Sequence, residues 1–200
     1  LLYVAAAVLL LFVLFMALRP REAATAPPPQ RLGMASSYEF SDQDGRPFGS
    51  EALKGKVYVA NFFFTTCVSI CPRLMGAVRT LHDRFKAADL PVHLVSITVD
   101  PDNDTPKVLA EYARRMNISP TRWSLLSGDY DAIRSVVVNG FSTHLGARRT
   151  NAEDSADISH GSRLILVDGQ GGIRGHFEST EEGIDALYEA SLSLLKSPSH

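Results

Sequence analysis

The sequence predicts an α/β protein: a mixed central β-sheet with helices on both sides, preceded by one apolar segment. Three observations predict it. Short β-branched and aromatic runs alternate with longer stretches of helical spacing between residues 57 and 138. Two further strand-like runs, 163–167 and 173–177, enclose a glycine-rich connection. Residues 1–18 contain no charge, no glycine and no proline. With 200 residues, 45% of them hydrophobic, 21% charged and a net charge of −2, the chain suits about one globular domain plus an accessory segment. That balance excludes a disordered chain, a collagen-like repeat and a strongly basic nucleic-acid binder, so no nucleic-acid partner is expected.

At about 1.5 Å per residue, the apolar run 1–18 forms about 27 Å of helix, enough to cross a hydrocarbon core. Arg19, Pro20 and Arg21 end it. It is read as an uncleaved transmembrane anchor. Residues 19–35 form a linker in which Pro27, Pro28 and Pro29 favour an extended polyproline spacer. The domain then occupies residues 36–200.

Within the domain, runs 38–40 and 46–48 flank Asp44-Gly45 as a β-hairpin. Residues 57–64 are dense in β-branched and aromatic side chains, as a strand buried on both faces requires. Residues 72–88 place Leu74, Val78, Leu81 and Phe85 at helical steps. A second strand covers 92–99, and a helix covers 106–116 with Thr105 as N-cap and Pro106 in its first position. A short strand at 123–126, a short helix at 130–138, the hairpin 163–167/173–177 and a last helix to about 195, capped by Ser179 or Thr180, complete the domain. The order β-hairpin, β, α, β, α, β, α, β, β, α is a thioredoxin-like architecture. The stretch from Asp168 to Gly172 is no phosphate loop, since it lacks the Lys-Ser/Thr pair and leads into a strand.

Only two cysteines occur, which excludes a disulfide-dense scaffold. Cys67 and Cys71 both lie between the first central strand and the first helix. Pro72 sets Cys71 at the helix N-terminus, with Cys67 on the preceding loop, and both settings favour thiolate over thiol. Such a pair holds a soft metal or cycles between dithiol and disulfide. A reversible Cys67–Cys71 disulfide is expected if residues 67–71 stay a loop. Regular helical i, i+4 spacing would leave the Cβ atoms about 5–6 Å apart, against roughly 3.8 Å in a disulfide. A metal needs a further ligand, and of six histidines the topology favours His160, just ahead of the strand 163–167, with His144 next. Two thiolates and an imidazole suit Cu(I), which is soft and accepts low coordination, better than a closed zinc site with four ligands.

The string Phe64-Thr65-Thr66-Cys67-x-x-x-Cys71-Pro72, then Ser96-Ile-Thr-Val-Asp100-Pro101-x-x-Asp104-Thr105-Pro106, then His160 ahead of a hydrophobic strand, resembles the Sco/SenC family. These are membrane-anchored copper chaperones of cytochrome c oxidase assembly. The resemblance implies Cys67, Cys71 and His160 as ligands of one copper ion per domain, Cu(I) or Cu(II), with Cys67 and Cys71 also a redox-active pair. It implies delivery of copper to, or reduction of the cysteines of, a cytochrome c oxidase copper-site subunit or another membrane respiratory complex. It further implies a single-pass protein of the cell inner membrane with its domain on the extracytoplasmic, periplasmic side. Asp104 and Thr105 are read as a turn and helix cap. Two departures stand out: Val68 where the family often has proline after the first cysteine, and Ser159 where it often has aspartate before the histidine. Two other readings share the thiols: a membrane-tethered thiol–disulfide oxidoreductase, and a thioredoxin-fold peroxidase, for which Arg73 is the nearest arginine in sequence.

Overall fold

The structure, a computed structural model, describes residues 27–68, 71–145 and 162–197. The anchor predicted for residues 1–18 and the first residues of the linker lie outside them, as does His160. Among the described residues no helix is long and apolar enough to cross a membrane.

Among the described residues, eight strands form one mixed sheet in the order β1-β8-β7-β4-β5-β6-β2-β3. At its centre is β4 (Tyr58–Phe63), whose six residues are all buried. It pairs in parallel with β5 (His93–Thr98), which pairs in parallel with β6 (Trp123–Ser127). On its other side it meets β7 (Arg163–Val167) in antiparallel register, Ala60 opposite Ile165, and β7 pairs with β8 (Gly172–Glu178). The hairpin β2 (Glu39–Asp42) and β3 (Pro47–Gly49) adds to the far side of β6 around Gly45. There Gly45 has φ +77°, the left-handed region that a tight turn assigns to glycine.

Alternation along β4 sends neighbouring side chains to opposite faces. Asn61 and Phe63 meet the helices α1 (Cys71–Ala87) and α2 (Pro106–Arg115): Asn61 Nδ2 lies 3.6 Å from Met75 Sδ, and the Phe63 and Tyr112 rings are 5.6 Å apart. Phe62 meets Phe141 edge-on at 5.5 Å on the opposite face. Phe141 is delivered there by the short helix α3 (Tyr130–Ser135) and the wider π-turn Val136–Gly140 that follows it. Helices thus cover both faces, as the thioredoxin-like order requires. The α1 stripe Leu74, Val78, Leu81 and Phe85 is buried as its spacing predicts. The last helix, α4 (Glu181–Lys196), lies beside it, with Phe85 stacked on Tyr188 at 5.5 Å. Thr105 caps α2 through Val108 N–H and Thr180 caps α4 through Gly183 N–H.

The chain joins the sheet upstream of residue 36, where the domain was expected to begin. Gly33–Met34 forms β1 on the β8 edge, and Leu32 and Ala35 donate backbone hydrogen bonds to Ile173 and Gly171. The fastening is Asp168, fully buried in the β7–β8 turn. Its carboxylate accepts from the amides of Gln170 and Gly172 (both 2.8 Å), from Arg174 Nε (2.6 Å) and from Arg31 Nη2 (3.4 Å). Arg174 in turn donates to Pro29 O at 2.9 Å. Gly172 permits this crowding, since a Cβ there would lie 2.5 Å from both the Asp168 carboxylate and the Arg31 side chain.

Burial alone would raise the Asp168 carboxyl, but the Gly172, Arg174 and Gln170 hydrogen bonds outweigh it and hold the group below the usual carboxylate range. The folded pKa is therefore below the unfolded one. Asp168 stabilises the fold above the ordinary carboxylate pKa of about 4, and this contribution is lost as pH falls through the lower folded value. Asp168→Ala should cost roughly 2–4 kcal/mol, flatten the acid limb of the stability curve, and speed tryptic cleavage after Arg31. An unchanged acid limb and cleavage rate would show that Asp168 does not hold the N-terminal strap.

Candidate metal and thiol site

The thiol loop leaves the sheet where β4 ends. Phe64 stays buried, and Cys67 N–H donates back to Phe64 O at 3.4 Å to close a turn over Thr65 and Thr66. α1 begins at Cys71, with Pro72 in its first turn. Cys67 is therefore outside the helix, as a Cys67–Cys71 disulfide demands. The structure holds both as thiols rather than as a disulfide, and the Cys71 N–H donates to Cys67 Sγ at 3.3 Å.

The two sulfurs are not equivalent. Cys71 is 2% exposed, whereas Cys67 is half-buried. Burial, then the hydrogen bond to Cys67, pushes the Cys71 thiol up, against a weaker downward pull from the Phe64 backbone. The expectation that the helix N-terminus favours thiolate at Cys71 is thus corrected, because its sulfur is packed into the core. The amide at the positive end of α1 serves Cys67 instead. Between the cysteines, Val68 is 89% exposed and presents an apolar side chain to solvent.

Beneath the loop lies Asp104, 0% exposed. Its carboxylate accepts from Thr65 N–H at 3.0 Å, from the Thr65 hydroxyl, and from Thr98 Oγ1 at 2.5 Å. Burial raises its pKa, and the threonine hydrogen bonds only partly restrain the rise. Thr105 is the cap the sequence predicts, but Asp104 is not part of a cap. An aspartate ahead of Thr-Pro has no sequence signature that separates the two roles, and only the parallel register of Phe63 with Thr98 puts it under Thr65. Asp100 is buried too, accepting from Asn103 Nδ2 at 2.9 Å. Tyr112, also unmarked in the sequence, has its hydroxyl pushed up to about 12 by burial, then by the nearby Cys71.

Cys67 and Cys71 are brought together. His160 lies outside the described residues. His144 is exposed and shares a cavity of about 360 Å³ with His176, Arg163 and Glu178, whose walls, among the described residues, include none of the thiol loop. Among the described residues no three histidine, cysteine or acidic side chains are grouped to hold a metal. His82 and His93 are structural: His82 packs on Trp123, and His93 bonds Ser124 Oγ and stacks on Phe48.

The family model described as SCO1/SenC matches residues 26–195. The chain belongs to the SCO1/SenC family. It is 31% identical over 163 residues to the SCO1 protein homolog of Bacillus subtilis, covering 81% of each chain. It is 32% identical over 145 residues to a protein of Stutzerimonas stutzeri named for copper binding, covering 70% of this chain and 67% of that one. The SCO1/SenC family lipoprotein of Bacillus anthracis has the same fold, with a TM-score of 0.76 and 27% identity over 84% of this chain and 99% of that one. The structure of BsSco, described as containing a disulfide switch and as a member of the Sco family of cytochrome c oxidase assembly proteins, matches at a TM-score of 0.69 with 29% identity over 83% and 98%.

The unequal burial of the two thiols sets an order of reaction. In the reduced native protein, iodoacetamide should modify Cys67 at least roughly tenfold faster than Cys71, as read by peptide mass spectrometry. Equal rates would contradict the packing of Cys71.

Proposed function

We propose that this chain is a membrane-anchored copper carrier in cytochrome c oxidase assembly, with Cys67, Cys71 and His160 holding one copper ion. The observation that carries the reading is the placement of two thiols side by side at the open end of the sheet in a SCO1/SenC chain. Thiolates suit Cu(I), and the imidazole supplies the nitrogen that Cu(II) prefers. What supports His160 is its sequence position three residues ahead of β7, whose antiparallel pairing starts that strand at the end where β4 stops. Copper is cargo here, and a site with few ligands at a surface loop suits release by ligand exchange. Only reduced sulfurs bind it, so oxidation to the Cys67–Cys71 disulfide would switch loading off. The recipient is the copper-site subunit of the oxidase or of another membrane respiratory complex. Residues 1–18 anchor the chain in the inner membrane, with the domain on the periplasmic side.

One observation favours a second reading, thiol–disulfide exchange with a partner protein. An accessible Cys67 beside a buried Cys71 is the arrangement of an attacking and a resolving thiol.

Copper titration separates the two. The reduced protein should bind one copper ion, with thiolate-to-Cu(II) charge transfer in the visible region. His160→Ala should weaken Cu(II) roughly a hundredfold and Cu(I) by about tenfold or less, since two thiolates still hold Cu(I) as a near-linear pair. Absence of stoichiometric copper in both oxidation states would overturn the carrier reading in favour of exchange. An unchanged Cu(II) spectrum in His160→Ala would remove that residue from the site. Protease added to oriented vesicles should digest the domain from the periplasmic face; digestion from the cytoplasmic face alone would reverse the assigned topology.

A further inference from the structure

Asp104 is 0% exposed and, among the described residues, has no cation among the donors to its carboxylate, a costly placement unless its donors are well aimed. Two of those donors, the amide and the hydroxyl, belong to Thr65, two residues before Cys67. The third, Thr98 Oγ1, ends β5. Asp104 is itself fixed on the rigid side, since its N–H donates to Asp100 O at 2.8 Å and Thr105 opens α2. The capping of α2 is done by Thr105, so the Asp104 carboxylate is left to hold a loop 39 residues away in sequence. That loop closes through Cys67 N–H on Phe64 O and ends with Cys67 Sγ against Cys71 N–H.

We propose that Asp104 is a positioning residue for the thiol pair: through Thr65 it fixes the turn that keeps Cys67 Sγ at the N-terminus of α1, beside Cys71. It rests on the reading that Cys67 and Cys71 act as a pair, but not on copper. A loop held in its bonding geometry loses little freedom when the sulfurs join, so their effective concentration is high. A loosened loop lowers that concentration and makes the disulfide easier to reduce.

The test is the dithiol–disulfide equilibrium of the full chain in detergent against glutathione. Oxidation gives up two electrons and two protons from the Cys67 and Cys71 thiols, forms one S–S bond, and turns one glutathione disulfide into two glutathione thiols. Asp104→Ala and Thr65→Val should each lower the oxidation equilibrium constant about tenfold, about 30 mV for a two-electron couple. Thr65→Ser, which keeps amide and hydroxyl, should restore it to within about twofold of wild type. Thr65→Val, nearly isosteric, decides the matter if Asp104→Ala fails to fold. Wild-type equilibrium constants in folded Thr65→Val, with only a lowered Tm, would overturn the proposal and leave Asp104 as a stabilising residue. The measurement involves no metal, so a failed copper titration would end the carrier reading without touching this one.

Discussion

Because Phe63 lies opposite Thr98 in the parallel pairing of β4 with β5, the two strands stop together, and both chains must leave the sheet at one place. The register is held from both faces. Phe62 and Phe63 are fully buried on opposite sides of β4, each contributing on the order of 1.5–3 kcal/mol of apolar burial. A slip of one residue would exchange those faces and carry Thr65 away from Asp104. The antiparallel partner β7 begins at that same end, so three chain segments converge on a few ångströms of sheet edge. The thiols stand on one of them. Their geometry is therefore a product of aromatic packing in the core, well below the sulfur atoms themselves.

Two buried carboxylates tie chain excursions back to this sheet, and their chemistry differs with their partners. Asp168 meets two arginines and two backbone amides, which keep it charged. Asp104 meets hydroxyls and an amide, with the neighbouring Asp100 adding to the rise in its pKa. Burial pushes both groups up, and only the cations and amides around Asp168 reverse the push. The strap at one end is thereby an electrostatic fastening, and the thiol loop at the other is a hydrogen-bonded one.

The regular elements were legible in the sequence because their signals are local. The step pattern from Leu74 to Phe85 marks α1, Thr105-Pro106 marks the start of α2, and the run from Tyr58 to Phe63 marks a strand buried on both faces. The proximity of Cys67 to Cys71, and the place of both at a helix start, were legible for the same reason. What escaped depends on contacts distant in sequence. β1 is two residues long and exists by pairing with β8, so no run of its own announces it. The last turn of the predicted 130–138 helix opens into a π-turn, bringing Phe141 onto Phe62. The opposite surroundings of the two thiols follow from how deeply the α1 stripe sinks into the core, which spacing alone does not report.

The strap along β8 also limits reach. At the polyproline rise of about 3.1 Å per residue, residues 29–35 would span about 22 Å if they ran free of the sheet. With Pro29 held by Arg174, and Leu32 and Ala35 held by the sheet edge, that length lies along the domain instead. In the membrane-anchored reading proposed above, the thiol end would be held closer to the anchor by that length. Under the same reading Asp168, far from either sulfur, would set how deep a layer the thiols can search.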